Sequence, residues 1–167
     1  EIIFCRDVII HQADPFLFLK RLCSVPSKYI ILRLRTRDVG NTVLDPEVSC
    51  QLYYEIWTPY MILNCDEIVS FLKESCPDIS RVIFYKHYMV LGGLVNRYLP
   101  KDTYFQHTKT AETAILIEKN TGHKGSLKFE VVQNDEQVSC LTIIMVKIFS
   151  LIMRFITGRK YTGKVWW

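Results

Sequence analysis

The chain alternates short apolar runs with stretches whose apolar residues recur at helical spacing. Ile2-Ile3-Phe4 breaks into the polar Cys5-Arg6-Asp7, and Val8-Ile9-Ile10 and His11 follow. Glu1 to Phe4 predicts a buried strand whose end carries polar groups into a crevice. Asp14-Pro15 marks a helix start, because Asp accepts from first-turn N–H groups and Pro suits the first turn. Phe16, Leu17, Leu19 and Leu22 give that helix an apolar face, and Val25-Pro26 ends it. Tyr29 to Leu32 predicts a second buried strand, which turns to alternation at Arg33-Leu34-Arg35. Strand, helix, strand in this rhythm predicts a βαβ unit with parallel strands.

Arg37 to Asn64 is long and irregular, with Gly40, Pro46 and Pro59 and the aromatics Tyr53, Tyr54, Trp57 and Tyr60. It is expected to be a structureless insert serving as a lid or binding loop. Asn64-Cys65-Asp66-Glu67 predicts the next helix, with Asn64 as cap and Glu67 three residues on. Ile68, Phe71 and Leu72 supply its apolar face, and Cys76-Pro77 ends it. Ser80 to Met89 reads as a third strand and Thr110 to Lys119 as a fourth. No helical pattern separates them, so the pair is expected to be antiparallel. Leu127 to Val132 suggests a further strand. Val138 to Ile156 is almost wholly apolar and predicts one helix, with Ser139, Thr142, Lys147, Ser150 and Arg154 on a narrow polar stripe. Gly158 stops it, and a basic tail runs to Trp166 and Trp167. The chain thus divides into a sheet-forming part (1–120), a turn and short-strand linker (121–137), and a hydrophobic helix with its tail (138–167).

Composition changes this picture little. At 49% hydrophobic and 23% charged, the chain is expected to bury a core. A formal charge of +4 is too weak to argue for nucleic acid, so no nucleic-acid partner is expected. The six cysteines show no C-x-x-C spacing and mostly adjoin apolar residues, as buried free thiols do. A reducing cytoplasm is the expected location. No basic and apolar leader is visible, so no signal peptide is expected. The four histidines share no spacing, and no metal site is expected.

The order of elements, and several short stretches within them, resemble the C-terminal half of the class I S-adenosylmethionine-dependent methyltransferases. Cys5-Arg6-Asp7-Val8-Ile9-Ile10-His11 looks like that fold's fourth strand and exit loop. Lys28 to Leu34 looks like its fifth strand. Arg35 to Gln51 and Trp57-Thr58-Pro59-Tyr60 resemble the loop that follows in a subset of bacterial methyltransferases. The resemblance covers Glu1 to about Asn120. It implies an α/β fold: a partial Rossmann-like sheet of strand, helix, strand, helix, strand and antiparallel strand, here followed by the C-terminal apolar helix. It implies methyl transfer to an oxygen or nitrogen acceptor, with S-adenosyl-L-methionine as cofactor. The family's Gly-rich turn after its first strand is missing: neither Gly40, Gly92 nor Gly93 follows a strand and opens a helix. The chain is therefore expected to be a fragment that does not bind the cofactor well alone, with a partner chain or another segment supplying the other half.

The resemblance puts Cys5, Arg6 and Asp7 beside the cofactor's amino-acid end and the acceptor. Asp7 would accept from an amine or orient His11, and Arg6 would pair a carboxylate. The competing reading is a local Arg6–Asp7 ion pair. His11, just past the strand end, is the candidate base, since its pKa lies near working pH. The competing reading is a histidine hydrogen-bonded at a strand–helix turn. Arg35 and Arg37, with Arg33 and Asp38 nearby, would hold an acidic small-molecule or saccharide acceptor, or be merely solvated. Tyr54 and Trp57 would stack on a ring or sugar face, or pin the insert to the sheet. Two other functions compete: a non-catalytic remnant or subunit offering an interaction surface, and a peripheral membrane protein whose residues 138–167 touch the membrane surface.

Overall fold

The computed structural model describes residues 1–88, 97–100, 103, 109–120 and 130–136. Within them the chain is a mixed α/β fold, with two helices on one face of a six-stranded sheet. β1 (Ile2–Arg6) leads through a 3-10 turn (Ile9–His11) to α1 (Pro15–Ser24) and β2 (Tyr29–Arg37). β1 and β2 are parallel, in register from Ile2 against Tyr29 to Arg6 against Arg33. The cap of α1 is as its residues dictate: Asp14 accepts from the Leu17 N–H at 2.8 Å, and Pro15 follows.

The stretch expected to be structureless is built. β3 (Cys50–Tyr53) and β4 (Ile56–Pro59) form a hairpin, and β5 (Leu63–Asn64) pairs in parallel with Thr36 and Arg37. Its two-residue turn is Tyr54-Glu55, both at positive φ (44° and 67°). Such turns normally carry Asn-Gly or Asp-Gly, so the usual signal for a hairpin was missing from the sequence.

α2 (Cys65–Ser75) starts at Asn64, whose side chain accepts from the N–H groups of Asp66 and Glu67. The reciprocal bond expected of Glu67 goes elsewhere: its carboxylate accepts from the Thr42 N–H at 3.0 Å, and the Thr42 hydroxyl accepts from the Asn64 N–H. The insert and the helix start are thereby tied together.

β6 (Ile79–Tyr88), β7 (Arg97–Tyr98), β8 (Thr110–Lys119) and β9 (Glu130–Glu136) complete the described elements. The main sheet runs β1-β2-β8-β6-β9, with β5 beside β2; β4-β3-β7 form a small second sheet. β8 is antiparallel to both β2 and β6, as expected of the third and fourth predicted strands, and β9 lies parallel to β6. β9 overlaps the Leu127 to Val132 reading from Glu130 and runs past it to Glu136. The predicted helix from Val138 to Ile156 lies outside the described residues.

Alternation sorts the strands into two faces. Ile30, Leu32 and Leu34 of β2, Val82 and Phe84 of β6, and Ile115 and Ile117 of β8 form one core with Leu19 and Cys23 of α1 and Ile68 and Leu72 of α2. Phe16 meets Phe71 between the helices, with ring centroids 5.2 Å apart. The other face carries Phe4, Arg6, Arg33, Arg35 and Glu112, and neither described helix covers it. Among the described residues, no helix is long and apolar enough to cross a membrane.

Candidate functional site

The carboxyl ends of β1 and β2, the start of β8 and the end of β6 meet at one edge of the sheet. β1 leaves β2 after Arg6, and β5 joins the same side of β2 at Thr36. The gap, at Leu34 and Arg35, is where Asp7 and the 3-10 turn sit.

Asp7 has φ 57°, in the left-handed region that Asp tolerates better than most residues. Its N–H still donates to the Arg33 carbonyl at 2.8 Å. This backbone turn brings its carboxylate over the helix-free face. One oxygen lies 3.2 Å from Arg35 Nη1; the other lies 3.8 Å from Arg33 Nη1 and 3.5 Å from Arg6 Nε. Glu112 stands opposite Arg35 in the β2–β8 register and pairs with both Arg33 and Arg35. Three arginines and two carboxylates leave one net positive charge. The Arg35 side chain is only 9% exposed, and its Nε is buried without a hydrogen-bond partner.

His11 follows Asp7 by four residues, at the end of the 3-10 turn, and is half-buried. Its Nδ1 is 2.6 Å from the Pro59 carbonyl, and its ring meets Tyr60 edge-on at 6.0 Å. A carbonyl only accepts, so Nδ1 carries the proton and the neutral ring keeps its lone pair on Nε2. The Met61 N–H donates to the Ile10 carbonyl at 2.7 Å, which fixes the turn to the hairpin's exit. Pro59 and Tyr60 therefore orient His11, a job that no local motif announces.

The other candidates are placed as follows. Cys5 points into the core, and burial pushes its thiol pKa up. Arg37 is buried and donates to the carbonyls of Val39 and Asn41, holding the loop at Gly40 (φ 83°). Trp57 packs on Tyr98 of β7 at 4.8 Å. Tyr54 stands at the hairpin tip, 84% exposed, edge-on to Tyr53. The structure thus brings Arg6, Asp7 and Arg35 into one network, sets His11 against Pro59 and Tyr60, and leaves Cys5, Arg37, Tyr54 and Trp57 to other contacts.

A second cluster lies behind the first, on the helix-covered face. Lys86, with 1% of its side chain exposed, donates to Asp38 at 2.7 Å, and the Tyr88 hydroxyl donates to the other Asp38 oxygen at 2.6 Å. Burial pushes the Asp38 pKa up, but the bonds from Lys86 and Tyr88 and the Lys86 charge hold it below the ordinary value. Cys65, at the start of α2, is buried, and burial pushes its thiol pKa up to about 11. Behind them, Thr36 and Thr113 share a 2.6 Å hydroxyl bond. Lys86 had a signal in the sequence: it falls in the same alternation phase as Val82 and Phe84, and a lysine in an apolar phase demands a partner. Glu112 had none, because its pairing depends on the register with β2.

Among the described residues, no three His, Cys, Asp or Glu side chains gather to hold a metal ion. No protein-family model and no curated protein matches the chain.

Proposed function

We propose that residues 1–120 form the acceptor-side half of a Rossmann-like S-adenosylmethionine-dependent methyltransferase domain. The observation that carries the reading is the strand order: a reversed β8 slotted between β2 and β6, at the end of a βαβ unit whose parallel strands finish at a charged rim. In open α/β sheets ligands bind outside the carboxyl ends of the strands.

The described residues do not fit the cofactor by themselves. Cys5 faces the core, Asp7 is committed to arginines, and Gly40, the one described glycine, opens no helix. The proposal gives cofactor binding to another segment or a partner chain. This chain's share is the acceptor. His11, held through Nδ1 by Pro59, takes the acceptor's proton at Nε2. Arg33 and Arg35 hold an anionic group of the acceptor by exchanging part of their pairing with Asp7 and Glu112. The saturation of those arginines favours the second reading, a non-catalytic subunit whose surface is the exposed hairpin of Tyr53, Tyr54 and Ile56.

Calorimetry of this chain with S-adenosylmethionine is expected to show no micromolar binding; tight binding overturns the division of labour. In the open reading frame that contains these residues, His11→Ala should leave cofactor binding intact and slow methyl transfer about 10²- to 10⁴-fold. Unchanged transfer removes His11 from the chemistry. A frame that encodes no Gly-rich turn favours the subunit reading.

A further inference from the structure

At the opposite edge of the sheet, the exits of the two helices converge. Cys23 lies in the last turn of α1 and Cys76 is the C-cap of α2. The Ile79 N–H donates to the Cys76 carbonyl at 3.2 Å, and Ile79 stands opposite Lys119, which bonds the Cys23 carbonyl, so the two cysteines end at one corner. Both are buried, at 6% and 8% exposure. All five described cysteines are free.

The end of β8 fixes this corner. Lys119 Nζ donates to the carbonyls of Cys23 and Val25. The Lys119 N–H donates to the Lys28 carbonyl at 2.9 Å, and the Asn120 N–H donates to the Asp78 carbonyl at 2.7 Å. The chain leaving each helix is thus tied to one strand end, so fixed backbone brings the two cysteines to one buried corner.

We propose that Cys23 and Cys76 are a site of oxidative modification, closing to an intramolecular disulfide that ties α1 to α2. The oxidant is a small neutral hydroperoxide, which can enter a buried corner. The Cys76 thiolate attacks one peroxide oxygen and becomes a sulfenic acid, and the other oxygen leaves as hydroxide, which takes up a proton to become water. The Cys23 sulfur then attacks the Cys76 sulfur. The S–S bond forms, the S–O bond breaks, and the Cys23 proton leaves with the departing oxygen as a second water. Two thiols lose two electrons, and one peroxide gains them. Burial pushes both thiols' pKa values up. At Cys76 the hydrogen bond from Cys23 and the charges of Lys119 and Lys20 act the other way, which makes Cys76 the first to react. The ring so closed joins residues 53 apart and encloses β2, the hairpin, β5 and all of α2.

The test treats the full chain with hydrogen peroxide, alkylates the remaining thiols and maps peptides by mass spectrometry. The expected product is a Cys23–Cys76 cross-linked peptide lighter by two hydrogens, cleaved by reductant. The oxidised protein should also melt about 5–10 °C higher, and return on reduction, from the lost entropy of the unfolded chain. In Cys23→Ser, Cys76 should proceed to sulfinic acid instead. Should that variant not fold, the reversible melting shift of the parent protein decides. A parent protein in which Cys76 becomes sulfinic acid without a cross-link, stays a thiol, or joins a second molecule overturns the proposal.

Discussion

On the helix-free face of the rim, Asp7 and Glu112 share three arginines; on the helix-covered face, Asp38 accepts from both Lys86 and Tyr88. The two clusters stand back to back at the same sheet edge. The first is redundant and part-exposed, with Arg33 at 30% and Asp7 at 32% side-chain exposure. Water screens its ion pairs, and Arg33 and Arg35 each have two carboxylates to choose from. The second is buried: a cation with only 1% of its side chain exposed donates to Asp38. A ligand could borrow an arginine from the first cluster at little cost. Removing a partner from the second leaves a charge stranded under α2. The difference suggests binding on one face and architecture on the other.

The largest expected effect breaks the buried cluster. Lys86→Met should destabilise the protein by about 3 kcal/mol, by analogy with other broken buried pairs, seen as a lower denaturant midpoint. A loss below about 1 kcal/mol would put the two clusters on the same footing. Acid tests the same pair from the other side. The Asp38 carboxyl is held below its ordinary value of 3.8, so its stabilising contribution is complete above that pH. That contribution is lost as pH falls through the depressed folded value. Asp38→Asn should therefore flatten the acid limb of the stability curve below about pH 4; an unchanged limb would deny Asp38 this role.

Smaller effects are expected from the hairpin and the open cluster. Replacing Tyr54-Glu55 by Asn-Gly should stabilise the fold by about 1 kcal/mol, because both residues now occupy a left-handed conformation that side chains disfavour. Thermal melts check the sign. Asp7→Asn should cost less than about 1 kcal/mol, since Asn also tolerates positive φ and Glu112 still pairs with Arg33 and Arg35. A larger loss in urea unfolding would mean that the open cluster is as structural as the buried one.

Much of the fold could be read locally. Asp14-Pro15 and Asn64 cap helices where they stand, and the apolar runs at Ile2 and Tyr29 are strands. Apolar alternation located β6 and β8 within a residue at most. The hairpin could not be read, because Tyr54-Glu55 lacks the residues that announce such a turn. Of the site, Arg6, Asp7 and His11 were visible as polar groups at a strand end, and Arg35 as a neighbour on the next strand. Their partners were not.

What the sequence determined by itself are the features that depend on neighbours along the chain: caps, periodicity, and the polar ends of β1 and β2. Tertiary structure alone decided which distant residues meet. The β2–β8 register sets Glu112 against Arg35, and the β6–β8 register places Lys86 beside Thr113. A one-residue slip would turn either side chain to the opposite face. The hairpin brings Pro59 to His11 across 48 positions, and no local preference encodes that distance. The physical reason is the same in each case: register and burial are properties of the packed sheet, while caps and alternation belong to a few consecutive residues.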